Sequence, residues 1–357
     1  EREYLRVNRF WVDDNEDEIA LLEREINHNI QKRQKELELT IALTNYCNFS
    51  CVYCYQNKNE KLMTTEVANM IIEKIDRILN DNIFEGINIH YFGGEPLLNI
   101  PVLIYLDENI KKITDKIGIV YKAFLTTNGS MLSKELLQKV KFSSIQLTFD
   151  GLEKTHDRLR VSDHFHFKEE IELIENIMNF SQAKVLLRTN ICKENKDEII
   201  ALHKYIFEKF GNERIEINPN RTIKYHQDDS FEMLSVQEYA EVAYQIKLLW
   251  SEQKGKFELP VPRSTPCKFP YGNAYAISPE GYCTFCSGSM DQEKKYFFDV
   301  DIENKKMFSV RKECKKCNIL PLCLGGCIIQ YNLRAGACTY EKYELKNILI
   351  SYIKHIS

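Results

Sequence analysis

The sequence predicts an α/β protein: a partial (β/α)6, TIM-like barrel followed by a small cysteine-rich unit. Three observations predict it. Six short apolar runs alternate with stretches of helical periodicity. The first four runs each end in a polar or glycine-rich turn. The 12 cysteines fall in two sets, at 47/51/54 and from 267 to 338, with only Cys192 between them.

In chain order, a charged opening over residues 1–37 carries a helical stretch at 16–36. Strand-like runs follow at 39–43, 87–92, 123–125, 145–149, 185–188 and 215–217, with helical stretches at 64–80, 101–117, 133–140, 166–180 and 195–210 between them. Such alternation implies a parallel sheet of βαβ units, and six units leave a barrel incomplete. The first four strands run into the cysteines, Gly93-Gly94-Glu95-Pro96, Thr126-Thr127-Asn128-Gly129 and Asp150-Gly151. In α/β proteins the C-terminal strand ends are where chemistry sits. A further helix at 235–254 precedes a proline-containing linker, Leu259 to Arg263, and the composition then turns to Gly, Pro and Cys. The expected division is 1–37, a leader or peptide-binding segment; 38–230, the barrel; 231–264, a bridging helix and linker; 265–345, the cysteine-rich unit; and 346–357, a C-terminal helix. With little apolar periodicity after Cys267, metal is expected to stabilise that unit.

Composition bounds the function. Hydrophobic residues at 44% and charged residues at 28% read as globular, and the net charge of -4 argues against a nonspecific grip on nucleic acid or acidic membrane. No apolar run reaches the roughly 18 residues of a membrane helix. No signal peptide is visible after Glu1, and clustered cysteines favour metal ligation in a reducing cytoplasm over disulfides.

The stretch CNFSCVYCY places Cys47, Cys51 and Cys54 within eight residues. Three thiolates at CX3CX2C do not close a tetrahedral zinc site. A cubane cluster has four irons, each wanting one outside ligand, so three cysteines leave one iron free. A zinc site with a remote fourth ligand, or buried structural thiols, are the blander readings of this spacing.

CNFSCVYCY after a strand resembles the signature of the radical S-adenosylmethionine (SAM) superfamily. The resemblance implies that Cys47, Cys51 and Cys54 hold a [4Fe–4S] cluster whose open iron binds SAM. Homolysis of SAM then gives a 5′-deoxyadenosyl radical that abstracts a substrate hydrogen. Tyr53 takes the motif's aromatic position, near the adenine. Gly93, Gly94 and Glu95 resemble the family's GGEP turn, which receives the SAM amino group. Asn128 belongs to a TNG-like element. Thr148 and Asp150, continuing to His156-Asp157-Arg158-Leu159-Arg160, resemble the S-x-D-G…H-D-x-x-R segment, with Thr148 in place of the usual Ser. Arg160 is implied to pair with the SAM carboxylate, and Arg188 and Asn190 to line the same cavity.

The second cysteine set reads Cys267-X13-Gly281-X4-Cys286, Cys314-X2-Cys317-X5-Cys323-X3-Cys327 and X10 to Cys338. It is similar to the SPASM domain, which follows radical SAM barrels in peptide-modifying enzymes. The resemblance implies an outer auxiliary [4Fe–4S] cluster on Cys314, Cys317, Cys323 and Cys338, and an inner one on Cys267, Cys286 and Cys327. Three clusters and SAM are thus the implied cofactors. Cys283 is a candidate fourth inner ligand with core packing as its alternative, and Cys192 a candidate hydrogen donor with the same alternative.

The implied function is maturation of a ribosomally made precursor peptide, installing a thioether or carbon–carbon crosslink, with a flavodoxin- or ferredoxin-type electron donor. Arg9-Phe10-Trp11-Val12-Asp13-Asp14 resembles the segment ahead of the barrel in such maturases. A complete winged-helix leader-binding domain does not fit in 37 residues, so it lies upstream or the peptide is recognised otherwise. The alternative is an anaerobic sulfatase-maturating enzyme making formylglycine. Where that group is expected to place an Asp base near the inner-cluster cysteines, this chain has Ser287 after Cys286, a poor base near neutral pH.

Overall fold

The structure is a computed structural model that describes residues 15–81, 84–211, 214–224, 231–255, 259–284, 286–289, 295–300, 307–327 and 338–356. The Arg9 to Asp14 segment lies outside the described residues.

All six expected parallel strands form: β1 (Glu36–Ala42), β2 (Gly86–Phe92), β3 (Val120–Thr126), β4 (Phe142–Thr148), β5 (Lys184–Ile191) and β6 (Ile215–Arg221). Each pairs in parallel with the next. Helices α1 (Glu18–Arg33), α2 (Thr65–Asp81), α3 (Ile100–Ile117) and α4 (Lys134–Lys139) precede a short α5 (Glu153–Leu159). Then come α6 (Phe167–Phe180), α7 (Ile199–Phe210), α8 (Val236–Lys254), α9 (Lys268–Tyr271), α10 (Leu320–Cys323) and α11 (Glu341–Ile356). Local chemistry sets these bounds. In α2 the residues Ala68, Ile71, Ile75 and Ile78 form one buried stripe at helical spacing. Helix α8 starts at a reciprocal Ser235–Glu238 capping box and ends at Gly255, whose φ of 60° suits a residue without Cβ.

Three further strands extend the sheet past the six units, giving the order β6-β5-β4-β3-β2-β1-β7-β8-β9. Strand β7 (Ala274–Ile277) runs parallel to β1, and β8 (Tyr282–Thr284) and β9 (Lys295–Tyr296) fold back antiparallel. Sequence periodicity did not reveal them because β7 is only four residues long and buried on both faces. Helix α7 starts at Ile199 rather than 195. The Asn195 side chain there bonds the carbonyls of Asp150 and Asn190 at 2.7 and 2.9 Å, holding a turn instead.

Helix α1 turns its buried face to the C-terminal part of the chain. Ile26 and Ile30 bury against Phe308, Val310, Leu320 and Leu324 of the cysteine-rich part. The Asn27 amide exchanges hydrogen bonds with Phe308, donating to its carbonyl at 2.9 Å and accepting from its N–H at 2.7 Å. Glu23 accepts from the Val310 N–H at 2.7 Å. At the helix end, Arg33 and Lys268 both pair with Glu38, at 2.9 and 2.8 Å. Those cations hold the Glu38 carboxyl below its usual range against the opposing effect of burial.

His203 of α7 lies fully buried between Thr189 of β5, at 3.2 Å, and the Trp250 indole N–H, which donates to Nδ1 at 3.2 Å. Burial pushes its pKa from 6.5 down to about 3. As pH falls below 6.5 the unfolded chain takes up a proton that the folded chain refuses, so stability is lost on acidification. Between pH 7 and pH 5 the loss is roughly 2 kcal/mol. Denaturant unfolding across that range is expected to show this slope in the parent and a flatter one in His203→Gln; parallel slopes would refute the account.

Candidate active site

The strands sort their side chains by parity. Ile87, Ile89 and Tyr91 of β2, Ile145 and Leu147 of β4, and Val185 and Leu187 of β5 are essentially inaccessible on the face covered by helices. The opposite, concave face is half-buried and polar: His90, Thr126, Gln146, Arg188, Asn218 and Asn220. Register places them side by side, with Thr126 opposite Gln146, Arg188 opposite Asn218 and Asn190 opposite Asn220. His90 Nε2 lies 2.8 Å from the Thr126 hydroxyl, and the Asn218 amide donates to Gln146 at 3.3 Å. Burial, helped by Lys268, pushes His90 down to about 4, so a neutral imidazole faces the cavity. His90, Gln146 and Asn218 were absent from the sequence reading. Strand alternation was the signal that pointed inward, but each is individually unremarkable.

At the C-terminal rim the cysteine loop leaves β1. The Val52 and Ser50 N–H groups donate to Leu159 and Val161, and the Phe49 N–H points at Cys47 Sγ, 3.4 Å away. Burial raises the Cys51 thiol to about 11, with Arg160 opposing and Cys54, Asp150 and Cys47 adding to the rise. The three thiols therefore sense one another's charge. Among the described residues no three His, Cys, Asp or Glu side chains converge on a point that would hold one metal ion.

The Gly93–Gly94 turn closes on this loop. A Cβ on Gly93 would strike the Thr44 carbonyl, and one on Gly94 the Tyr46 carbonyl. The Gly94 and Glu95 N–H groups donate to those same carbonyls at 2.8 and 2.9 Å. The glycines thus let backbone meet backbone. Glu95 is fully buried, and its carboxylate accepts from the N–H groups of Leu97 (3.0 Å) and Asn128 (2.6 Å) and the Thr127 hydroxyl (2.6 Å). Burial still raises it to about 6. It fastens the ends of β2 and β3 together. The Asn128 amide reaches Asn48 at 2.8 Å and Cys47 Sγ at 3.9 Å.

A buried charge cluster stands behind the thiols. Asp150, fully buried after β4, accepts from the Tyr53 hydroxyl and, at 2.7 Å, from the Asn190 N–H. Burial raises its carboxyl, opposed first by Arg160. Arg160 follows α5, is 6% exposed, lies over the Phe49 ring at 5.4 Å and donates to Tyr53 at 3.4 Å. Its Nε has no hydrogen-bond partner among the described residues. Thr148 is buried in register with Arg188, whose Nε donates to Asn190 at 2.8 Å. Cys192 sits behind this cluster, fully buried with Leu159 and Phe231 against Tyr53. Burial first, then Glu194, pushes its thiol up to about 12.

Of the second cysteine set, Cys314 and Cys317 pack beneath α1, while Cys327 and Cys338 line a cavity with Asn218, Asn220 and Tyr239. Cys267 feels the charge of Cys327, and Cys314 and Cys323 each feel that of Cys317. Leu324, Gly325 and Gly326 follow Cys323 with φ of 46°, 84° and 71°, and this left-handed run turns the Gly325 N–H toward Cys323 Sγ at 3.4 Å. A cavity of about 260 Å³ is bounded by Cys267, Cys314, Phe308 and the two glycines. Cys286 accepts from the Gly288 N–H at 3.3 Å, and half-buried Ser287 stands between them. Cys283 is buried in the main core on β8.

A family model described as Radical SAM superfamily matches residues 41–206. The radical SAM cyclopropyl synthase TigE of Paramaledivibacter caminithermalis is 24% identical, over 91% of this chain and 76% of its own length. Against the uncharacterized protein MJ0907 of Methanocaldococcus jannaschii, 34% identical, the match spans 32% of this chain and only 39% of that one. The structure of anSMEcpe with bound AdoMet and Cp18Cys peptide superposes with a TM-score of 0.70 at 19% identity, covering 90% of this chain and 98% of that one. Streptococcus suis SuiB bound to precursor peptide SuiA gives 0.59 at 17%, covering 93% and 82%. At such identities these two likenesses establish the fold. The family match itself assigns residues 41–206 of this chain to a radical SAM domain.

Proposed function

We propose that this chain is a radical SAM/SPASM enzyme that modifies a ribosomally made precursor peptide, installing a thioether or carbon–carbon crosslink. One observation carries the reading: the loop after β1 that holds Cys47, Cys51 and Cys54 is bonded to the end of α5, where Arg160 lies buried beside Cys51 with an Nε that has no hydrogen-bond partner among the described residues. That donor set fits the group the family uses. Three thiols suit three irons of a [4Fe–4S] cluster, and a guanidinium edge suits a carboxylate. Cys47, Cys51 and Cys54 would hold the cluster. Tyr53, Gly93, Gly94, Glu95, Asn128, Thr148, Asp150, Arg160 and Arg188 would form the SAM side of the site. Bound there, cluster and SAM supply reductive cleavage to methionine and a 5′-deoxyadenosyl radical.

The chain's own groups do the rest. Asp150 and Asn190 fix Tyr53 and Arg188 around the SAM side, and Glu95 keeps the two rim turns in place. On the concave face Gln146, Asn218 and Asn220 offer both donors and acceptors, as peptide bonds do, and His90 stays neutral. That chemistry suits an extended peptide. Cys314, Cys317, Cys323 and Cys338, and separately Cys267, Cys286 and Cys327, would hold auxiliary clusters, with the glycine run after Cys323 aiming an N–H at a ligand sulfur. A flavodoxin- or ferredoxin-type partner would supply electrons. Cys283 is buried in the main core and Cys192 is buried with Leu159 and Phe231, its thiol held toward Asn195 Oδ1 at 3.6 Å, which supports a packing role for both.

The reduced, iron-replete protein is expected to release 5′-deoxyadenosine and methionine. None released would overturn the enzyme reading. Mass spectrometry of a candidate peptide after turnover should show loss of two hydrogens with a blocked cysteine. An aldehyde instead would assign the formylglycine activity.

A further inference from the structure

Helix α6 buries the stripe Phe167, Glu170, Ile171, Ile174 and Ile177, at the spacing of an apolar helix face. One member is a carboxylate. Glu170 has no accessible surface, where a Glu is almost never found without a partner. Its Oε2 lies 3.2 Å from His156 Nε2, and neither oxygen has a well-formed hydrogen bond among the described residues. His156 is 2% exposed, its ring packed between Phe149 and Phe167 at 5.6 and 5.5 Å between centroids.

Stability does not account for this arrangement, because replacing a buried ion pair with well-packed apolar groups is commonly neutral or favourable. Its place in the fold does. His156 lies in the seven-residue helix α5, and its carbonyl accepts the Arg160 N–H at 2.8 Å. Whatever fixes His156 therefore fixes the backbone that launches Arg160. Arg160 also feels the charge of Glu170, after those of Cys51 and Tyr53. Asp150 and Glu170 are thus two buried carboxyl groups acting on the same guanidinium, Glu170 from the flank formed by α6.

We infer that Glu170 is a positioning residue for SAM: through His156 it sets the pose of Arg160, so that the guanidinium meets the SAM carboxylate. The inference rests on the reading above that Arg160 takes that carboxylate. Glu170 touches no substrate atom; it acts by orientation.

The test is equilibrium dialysis of the cluster-loaded full chain against two ligands, SAM and decarboxylated SAM. Glu170→Gln keeps the shape and removes the charge. It is expected to weaken SAM about tenfold while changing decarboxylated SAM by less than about twofold. His156→Gln should produce the same selective loss, and Glu170→Asp should recover part of it. These two keep the test decisive should Glu170→Gln fold poorly. Equal weakening of both ligands, or of neither, in the Glu170 and His156 variants would overturn the proposal. Arg160→Ala is the reference. If Arg160→Ala discriminates between the ligands and Glu170→Gln does not, only the positioning role falls. If Arg160→Ala itself fails to discriminate, the carboxylate assignment falls and takes this inference with it.

Discussion

Cys51→Ala is expected to abolish SAM cleavage, and Cys317→Ala to leave cleavage measurable while ending product formation. Cys51 is the thiol coupled most strongly to Arg160, and it stands with Cys47 and Cys54 on the loop that Val52 pins to α5. Losing one of three ligands leaves a donor set too small for the cluster, so activity should fall by well over the ~100-fold that loss of a mere supporting residue can produce. Cys317 lies in the other cysteine set, where it senses Cys314 and Cys323 and joins the small apolar cluster under α1. Its removal leaves the β1 rim intact. Chromatography of 5′-deoxyadenosine, with iron content measured on each variant, separates the two effects. Equal activity in both variants would refute the division of labour.

Arg160→Ala is expected to damage both stability and SAM binding. In the folded chain the guanidinium is buried near Cys51, Tyr53, Glu170 and Asp150, and these neighbours favour its charged form against the burial that opposes it. Truncation leaves Asp150, already raised by burial, with the Tyr53 hydroxyl and the Asn190 N–H as the hydrogen-bond donors to its side chain among the described residues. Breaking a buried pair on one side costs about 3–5 kcal/mol, because an uncompensated charge remains. Denaturant unfolding should register that loss before any cofactor is added. Arg160→Lys should recover much of the stability but little SAM affinity, since an ammonium keeps the charge and loses the fork that matches a carboxylate. An Arg160→Ala protein unfolding at the parent midpoint would contradict the charge-cluster account.

Much of this architecture can be read without coordinates, for physical reasons that differ by element. The six strands are legible because each must bury every second residue under a helix, which writes alternation such as Ile87, Ile89, Tyr91 into the chain. The rim turns are legible because tight backbone approach demands glycine, as at Gly93 and Gly94. Which backbone those glycines meet is not legible: it takes the structure to show the carbonyls of Thr44 and Tyr46. Strand β7 is too short for periodicity to appear, and α5, at seven residues, hides inside a motif. Glu170 escapes because one carboxylate on an otherwise apolar helix face reads as a surface residue. The seat of α1 escapes because its partners lie in a different part of the sequence, and no local pattern names them.

That last separation governs when the protein can be assembled. The Asn27–Phe308 bonds close a span of 281 residues, and the Glu23–Val310 bond one of 287. On a ribosome moving at roughly 5–20 residues per second, some 15 to 60 seconds pass between synthesis of α1 and arrival of its seat. During that interval Ile26 and Ile30 lack the Phe308–Leu324 side chains that bury them. Helix α1 is thus made long before it can dock, and its docking joins it to the cysteine-rich part. A substitution at Asn27 or Glu23 would therefore show first as slowed or incomplete maturation of the C-terminal cysteine region, with the barrel already formed.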